Sequence, residues 1–125
     1  MSEMRFTKEH EWIEKNDLMI VGITEFAQDQ LGDVVSIELP VIGSTFKQNE
    51  TMAIIDSVKA SSDIFCPIDG EIVEVNEKLL EHPELINQSP NDEGWIVKIK
   101  PSNPQQFDSL LSKEQYDKLV GESKE

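Results

Sequence analysis

The sequence has a single cysteine, Cys66, so no disulfide can form within the chain, and a reducing compartment suits it. Its only histidines are His10 and His82. They are too few for the spaced His, Cys and carboxylate sets that hold zinc. No nucleophile elbow accompanies His10, so a nucleophilic triad has no visible frame. The six glycines are scattered and build no phosphate-cradling loop. Basic residues are scarce: 11 against 25 acidic ones, a formal net charge of −14. Such a field repels phosphate backbones, which excludes nucleic acid as a natural partner. No apolar run reaches transmembrane length. The opening "MSEMRFTKEHEW" has neither the apolar core of a signal peptide nor the arginines of a transit peptide. The expectation is a cytoplasmic, non-membrane protein that begins at its native N-terminus. Like charge opposes self-association, so a monomer is expected. A self-contained enzyme is a poor fit to these shortages.

What is present suits one small domain. The chain has 125 residues, 38% of them apolar, enough for a modest core. Most segments read as short strands. "EWI" (11–13) and "LMIVGI" (18–23) flank a turn carried by Asn16 and Asp17. "VVSIEL" (34–39) alternates, placing Val35, Ile37 and Leu39 on one face until Pro40 and Gly43 break it. "TMAIIDS" (51–57), "SDIFC" (62–66), "EIVEV" (71–75) and "WIVKIK" (95–100) follow, the last with Trp95, Val97 and Ile99 inward and Lys98 and Lys100 outward. "TEFAQDQLG" (24–32) predicts a short helix, capped by Thr24 and closed by Gly32. Helical turns are expected on both sides of Pro83. Asn103–Pro104 predicts a helix start, with Phe107, Leu110 and Leu111 on one stripe. Ser112 and Gln115 form a capping box for a last helix that packs Tyr116, Leu119 and Val120 inward, ahead of a frayed "GESKE". "GDVVSIEL" and "DGEIVEVN" echo each other on either side of residue 59 and suggest two β-units paired about a pseudo-twofold axis.

One residue stands out. In "IIDSVKASSDIFCP", Lys59 sits between two β-type runs. Ser57, Ala60, Ser61 and Ser62 are small, so nothing crowds its amine. Most lysines are solvated surface charges, and that reading stays open. A Schiff-base lysine would need an apolar pocket. An exposed hairpin tip suits a lysine that another enzyme grips and acylates.

The wider context is specific. "DSVKASSD", preceded by "VGITEFAQDQLGDVVSIELP" and followed by "PIDGEIVEVNEKL", "ELIN" and "GWIVKIKP", resembles the H-protein family of the glycine cleavage system. "HEW" at 10–12 belongs to the same pattern. The resemblance covers a core at 6–101, and the helical segment at 103–121 also fits. Biotin carriers frame their lysine with methionines, whereas Val58 and Ala60 flank this one.

The resemblance implies a mainly β barrel-sandwich hybrid of the lipoyl/biotinyl-carrier type, with short helices at its ends. It implies lipoic acid in amide linkage to Lys59. It also implies a non-catalytic shuttle of glycine catabolism and one-carbon metabolism. Glycine decarboxylase, with pyridoxal phosphate, would load the aminomethyl group of glycine onto the arm. Aminomethyltransferase would pass the one-carbon unit to tetrahydrofolate. Dihydrolipoyl dehydrogenase, with FAD and NAD, would reoxidise the dithiol, and a lipoylating enzyme would install the arm. An alternative purpose is relay of lipoyl groups to 2-oxoacid dehydrogenase subunits. The loaded arm of the family folds into a cleft, where Glu11 and Asp63 match the carboxylate partners of its ammonium; the bland alternative is two ordinary surface acids. Glu9 stands where a small hydroxyl residue is common, and could add a carboxylate. Trp12 is expected to pack on the core and His10 to make a hydrogen bond. Asp56 replaces the usual Glu three residues before the lysine. Asn91–Asp92 replaces an aromatic–Gly pair. Cys66 is expected to be a buried small residue rather than a partner for the lipoyl sulfur.

Overall fold

The computed structural model describes residues 3–123. Among the described residues nine strands form two antiparallel sheets. β1 (Glu3–Phe6), β2 (Glu11–Lys15), β3 (Met19–Ile23), β9 (Val97–Pro101), β8 (Gly70–Val75) and β5 (Thr45–Phe46) make a six-stranded sheet in that spatial order. β4 (Val34–Glu38), β6 (Thr51–Ser57) and β7 (Ser61–Phe65) make a three-stranded one. Their inward residues meet in one aliphatic core: Val21, Ile72 and Ile99 from the larger sheet, Ile37, Ile55 and Ile64 from the smaller. Each such side chain, taken fully out of water, contributes about 2–3 kcal/mol. Few aromatics are needed because β-branched residues tile a pleated surface well.

A second cluster joins the N-terminal strands to the C-terminal helix. Phe6 stacks on Tyr116 at 4.7 Å, and Trp12 is buried beside them. The Trp12 Nε1–H donates to the carbonyl of Pro90 at 2.9 Å. Gly22 lies opposite Trp12 in the β2–β3 ladder, and a methyl group there would stand 2.6 Å from the indole. Glycine is therefore required for that close approach.

Helices cover the ends. α1 (Glu25–Leu31) starts at Thr24, whose hydroxyl accepts the Ala27 N–H, and ends at Gly32 in a left-handed conformation. α2 (Lys78–Glu81) and α3 (Leu85–Gln88) are single turns on either side of Pro83. α4 (Lys113–Ser123) opens with a reciprocal capping box: Ser112 N–H donates to Gln115 Oε1, and Gln115 N–H to Ser112 Oγ. It stays helical through Ser123, past the point where fraying was expected. Lys124 and Glu125 lie outside the described residues, as do Met1 and Ser2, on which the native N-terminus reading rests.

Several sequence expectations need correcting. Val34 and Ile37, rather than Val35, enter the core, because a bulge between Val34 and Ser36 throws Val35 outward to 57% exposure. The two echoing segments lie in different sheets, β4 in the small one and β8 inside the large one. Strands β1 and β5 carry too little alternation to be read from sequence. Trp95 precedes β9 and joins the second cluster, half-buried, with Lys98 Nζ 5.0 Å from the ring centre. Asn103–Pro104 opens a helix as expected, of the 3-10 kind (Pro104–Ser109). Phe107 and Leu110 turn to the main core, while Leu111 pairs with Phe6 and joins the second cluster.

Candidate functional site

Lys59 sits at the tip of the β6–β7 hairpin. The turn is built by Ser57. Its N–H and its hydroxyl both donate to the carbonyl of Ala60, at 2.9 and 3.1 Å. Its Oγ accepts the N–H groups of Lys59 and Ala60, each at 3.2 Å. A hydroxyl that folds back on its own turn leaves no backbone group there in need of the lysine amine. The Val58 N–H donates across to the carbonyl of Asp33 at 3.0 Å, which ties the tip to the start of β4. Lys59 is exposed and forms no ion pair among the described residues. Its stem lies against Gly32: a methyl group on that glycine would stand 3.2 Å from Cε.

A cleft of about 610 Å³ opens between α1 and β7, with Ser61, Ser62 and Asp63 on one wall and Phe26, Gln30 and Leu31 on the other. Glu9 and His10 line it as well. Asp63 is exposed within it. Glu11 is not among the lining residues; it is buried behind them, 1% exposed. Thr7 Oγ1–H donates to one carboxylate oxygen at 2.6 Å and the Phe65 N–H to the other at 3.2 Å. Glu11 therefore links β2 of one sheet to β7 of the other. Burial pushes its pKa up to about 7, against the pull of those two hydrogen bonds, and the Glu9 charge adds to the rise. His10 adopts φ 70°, and its Nδ1 lies 2.8 Å from the Tyr116 hydroxyl, which lies 2.6 Å from Thr24 Oγ1. Desolvation holds its imidazole below the usual value, with Glu9 opposing.

A family model described as "Glycine cleavage H-protein" matches residues 4–123. The chain belongs to the glycine cleavage H-protein family. A glycine cleavage system H protein of Symbiobacterium thermophilum is 52% identical over 122 residues, covering 97% of this chain and 95% of that one. A probable H protein of Aeropyrum pernix is 50% identical over 124 residues, 98% and 87% of the two chains. The crystal structure of the H protein of Mycobacterium marinum superposes with a TM-score of 0.88 at 32% identity, covering 95% and 97%. The sandwich-like antiparallel sheets with short helices are thus the H-protein fold.

The departures from the family pattern now have surroundings. Asp56 accepts hydrogen bonds from Ser36 at 3.3 Å and from Ser61, so it braces the hairpin base across all three strands of the small sheet. Asn91 and Asp92 lie in a turn in which Asp92 N–H bonds to Ser89 O and Trp95 N–H to Asp92 O. Cys66 is fully buried, its thiol bonded to Ile68 O at 3.0 Å and its pKa pushed up to about 11, first by desolvation. Such a thiol is a poor nucleophile. No group of His, Cys, Asp and Glu among the described residues is arranged to hold a metal ion, and no described helix is long and apolar enough to cross a membrane.

Sequence reasoning passed over three residues that shape this site. Ser57 registered only as small; a serine opening a tight turn is a signal for hydroxyl-to-backbone bonding. Gly32 registered as a helix end, yet it also makes room for the Lys59 stem. Asn87, inside "ELIN", gave no local signal, since its partners lie more than fifty residues away.

Proposed function

We propose that Lys59 is the attachment point for lipoic acid and that the chain is the shuttle of the glycine cleavage system. The observation that carries this is an exposed amine, without an ion pair among the described residues, on a turn that satisfies its own backbone. An amide-linked cofactor fits these residues: Ser57, Ala60 and Ser61 are small, and an open cleft begins two residues from the amine. The lipoyl group, once attached, would supply the disulfide that receives the aminomethyl unit at glycine decarboxylase, yields it at aminomethyltransferase and is reoxidised by dihydrolipoyl dehydrogenase.

The chain's own groups do the rest. Lys59 Nζ gives up a proton and attacks the activated carbonyl of a lipoyl donor, and the donor's leaving group departs as the amide forms. Charge loss on acylation breaks no ion pair among the described residues. Asp63 and Glu9 give the cleft a negative rim that favours a cationic amine. Glu11 adds negative charge beneath it when ionised, and the arrival of a cation would favour that ionised form. The excess of acid speeds encounter with basic partner surfaces. The lipoylated chain acts in the cytoplasm as a monomer, without bond chemistry of its own.

Digestion and mass measurement of protein made in a lipoate-replete host test the reading. One lipoyl increment on the peptide containing Lys59 is expected. Its absence, or its presence on another lysine, overturns the assignment.

A further inference from the structure

The Lys59 hairpin is not self-supporting. At its tip the Val58 N–H donates to Asp33 O, and its lysine stem rests on Gly32. Both contacts fall on Gly32 and Asp33, the two residues that lead from α1 into β4 at Val34. That junction is clamped by one side chain. Asn87 Oδ1 accepts the Val34 N–H at 2.9 Å, and its Nδ2 donates to Gly32 O at 2.8 Å and to Gln28 Oε1 at 3.0 Å. The residues on both sides of Asp33 are thus held by the same amide. The carbonyl of Gly32 is one that a helix end leaves without a helical partner. Asn87 can reach it because α3 is itself anchored: Ile86 is fully buried, and Gly94 fits against the carbonyls of Leu85 and Ser89.

We propose that Asn87 is a positioning residue for Lys59, acting through the Gly32–Val34 junction. It fixes where the amine is presented while touching neither the amine nor the cleft. Acylation needs the nucleophile within a narrow range of positions, so a loosened junction slows modification before it unfolds the protein. The functional half of this inference rests on Lys59 being the lipoylated residue; the structural half does not.

The experiment compares Asn87→Ala and Asn87→Asp with Leu119→Ala, a change in the second cluster away from the junction. Amide hydrogen exchange at Val58 is measured on unmodified protein. Exchange at least about tenfold faster in Asn87→Ala is expected, because a local opening free energy has fallen. Asn87→Asp keeps the acceptor for Val34 but loses both donors, and should fall between it and the parent chain. Leu119→Ala should lower the melting temperature while leaving Val58 unchanged. A purified lipoate ligase supplied with lipoate and ATP gives the second readout: kcat/KM should fall by about tenfold for Asn87→Ala, in step with the exchange change. Unchanged Val58 exchange in both Asn87 variants, or an equal change in Leu119→Ala, overturns the inference. Should the ligase leave the parent chain unmodified, the lipoyl reading fails, and the exchange data still decide the role of Asn87. Should Asn87→Ala not fold, Asn87→Asp carries the test.

Discussion

The hairpin tip and the segment behind the cleft treat a charged side chain in opposite ways. At the tip, Lys59 is in water and its turn is closed by Ser57, so the charge holds nothing together. Behind the cleft, Glu11 is out of water and both its oxygens hold other elements, Thr7 on one side and Phe65 on the other. The first residue's charge lies outside the hydrogen bonds that close its turn. The second is placed where the fold does depend on it, and its proton affinity records the desolvation. A site can therefore combine a replaceable reactive group with a costly supporting one a few residues apart in space.

Four measurements break or sharpen that contrast. The largest effect belongs to Lys59→Arg. Lipoylation, read by intact mass, should vanish, while the unfolding free energy stays within about 0.5 kcal/mol of the parent, as for other solvated positions. A marked loss of stability would show that the tip is structural after all.

Next comes the pH dependence of Glu11. Its folded pKa is raised from 4.5 to about 7, so the folded state binds more protons than the unfolded one between those values. Stability must then fall as pH rises through that window and level off above it. Against Glu11→Gln, which cannot ionise, the parent chain should lose about 3 kcal/mol between pH 4.5 and pH 7 in urea unfolding. Parallel curves for the two proteins would remove the buried carboxyl from the account.

Gly32→Ala should have a smaller effect, about 2 kcal/mol of destabilisation, because φ 76° with ψ −158° is a region only glycine occupies comfortably. The backbone dominates here, since the new methyl would meet only the flexible Lys59 stem at 3.2 Å. A fully stable Gly32→Ala chain would mean that this conformation is not required. Smallest of all, Val58→Ser should change stability by less than about 0.5 kcal/mol, because the side chain is 66% exposed and the bond to Asp33 is made by the backbone. Chemical denaturation separates these two cases.

Local patterns in the sequence were reliable guides to local structure. Thr24 and Gly32 bound α1, the Ser112–Gln115 pair opens α4, and Trp12 is buried as expected. Where the pattern met a neighbour it failed. Alternation placed Val35 inside, but pairing with β6 demanded a bulge, and Val34 took the core position instead. Glu11 and Asp63 look alike as carboxylates in a motif; one is buried and the other lines a cleft, and no residue near either in the chain distinguishes them.

Composition, motif and order of residues were enough by themselves to identify a small acidic β domain, its family and the one lysine framed by small neighbours. These are properties of contiguous segments, and short-range sterics and hydrogen bonding act within them. Only the tertiary structure decided that Glu11 stands behind the cleft wall, that Gly32 supports the lysine stem and that Asn87 clamps the junction beneath it. Each of those facts depends on desolvation or on hydrogen bonds between groups far apart in the chain, which come into being only when the two sheets and their covering helices close on one another.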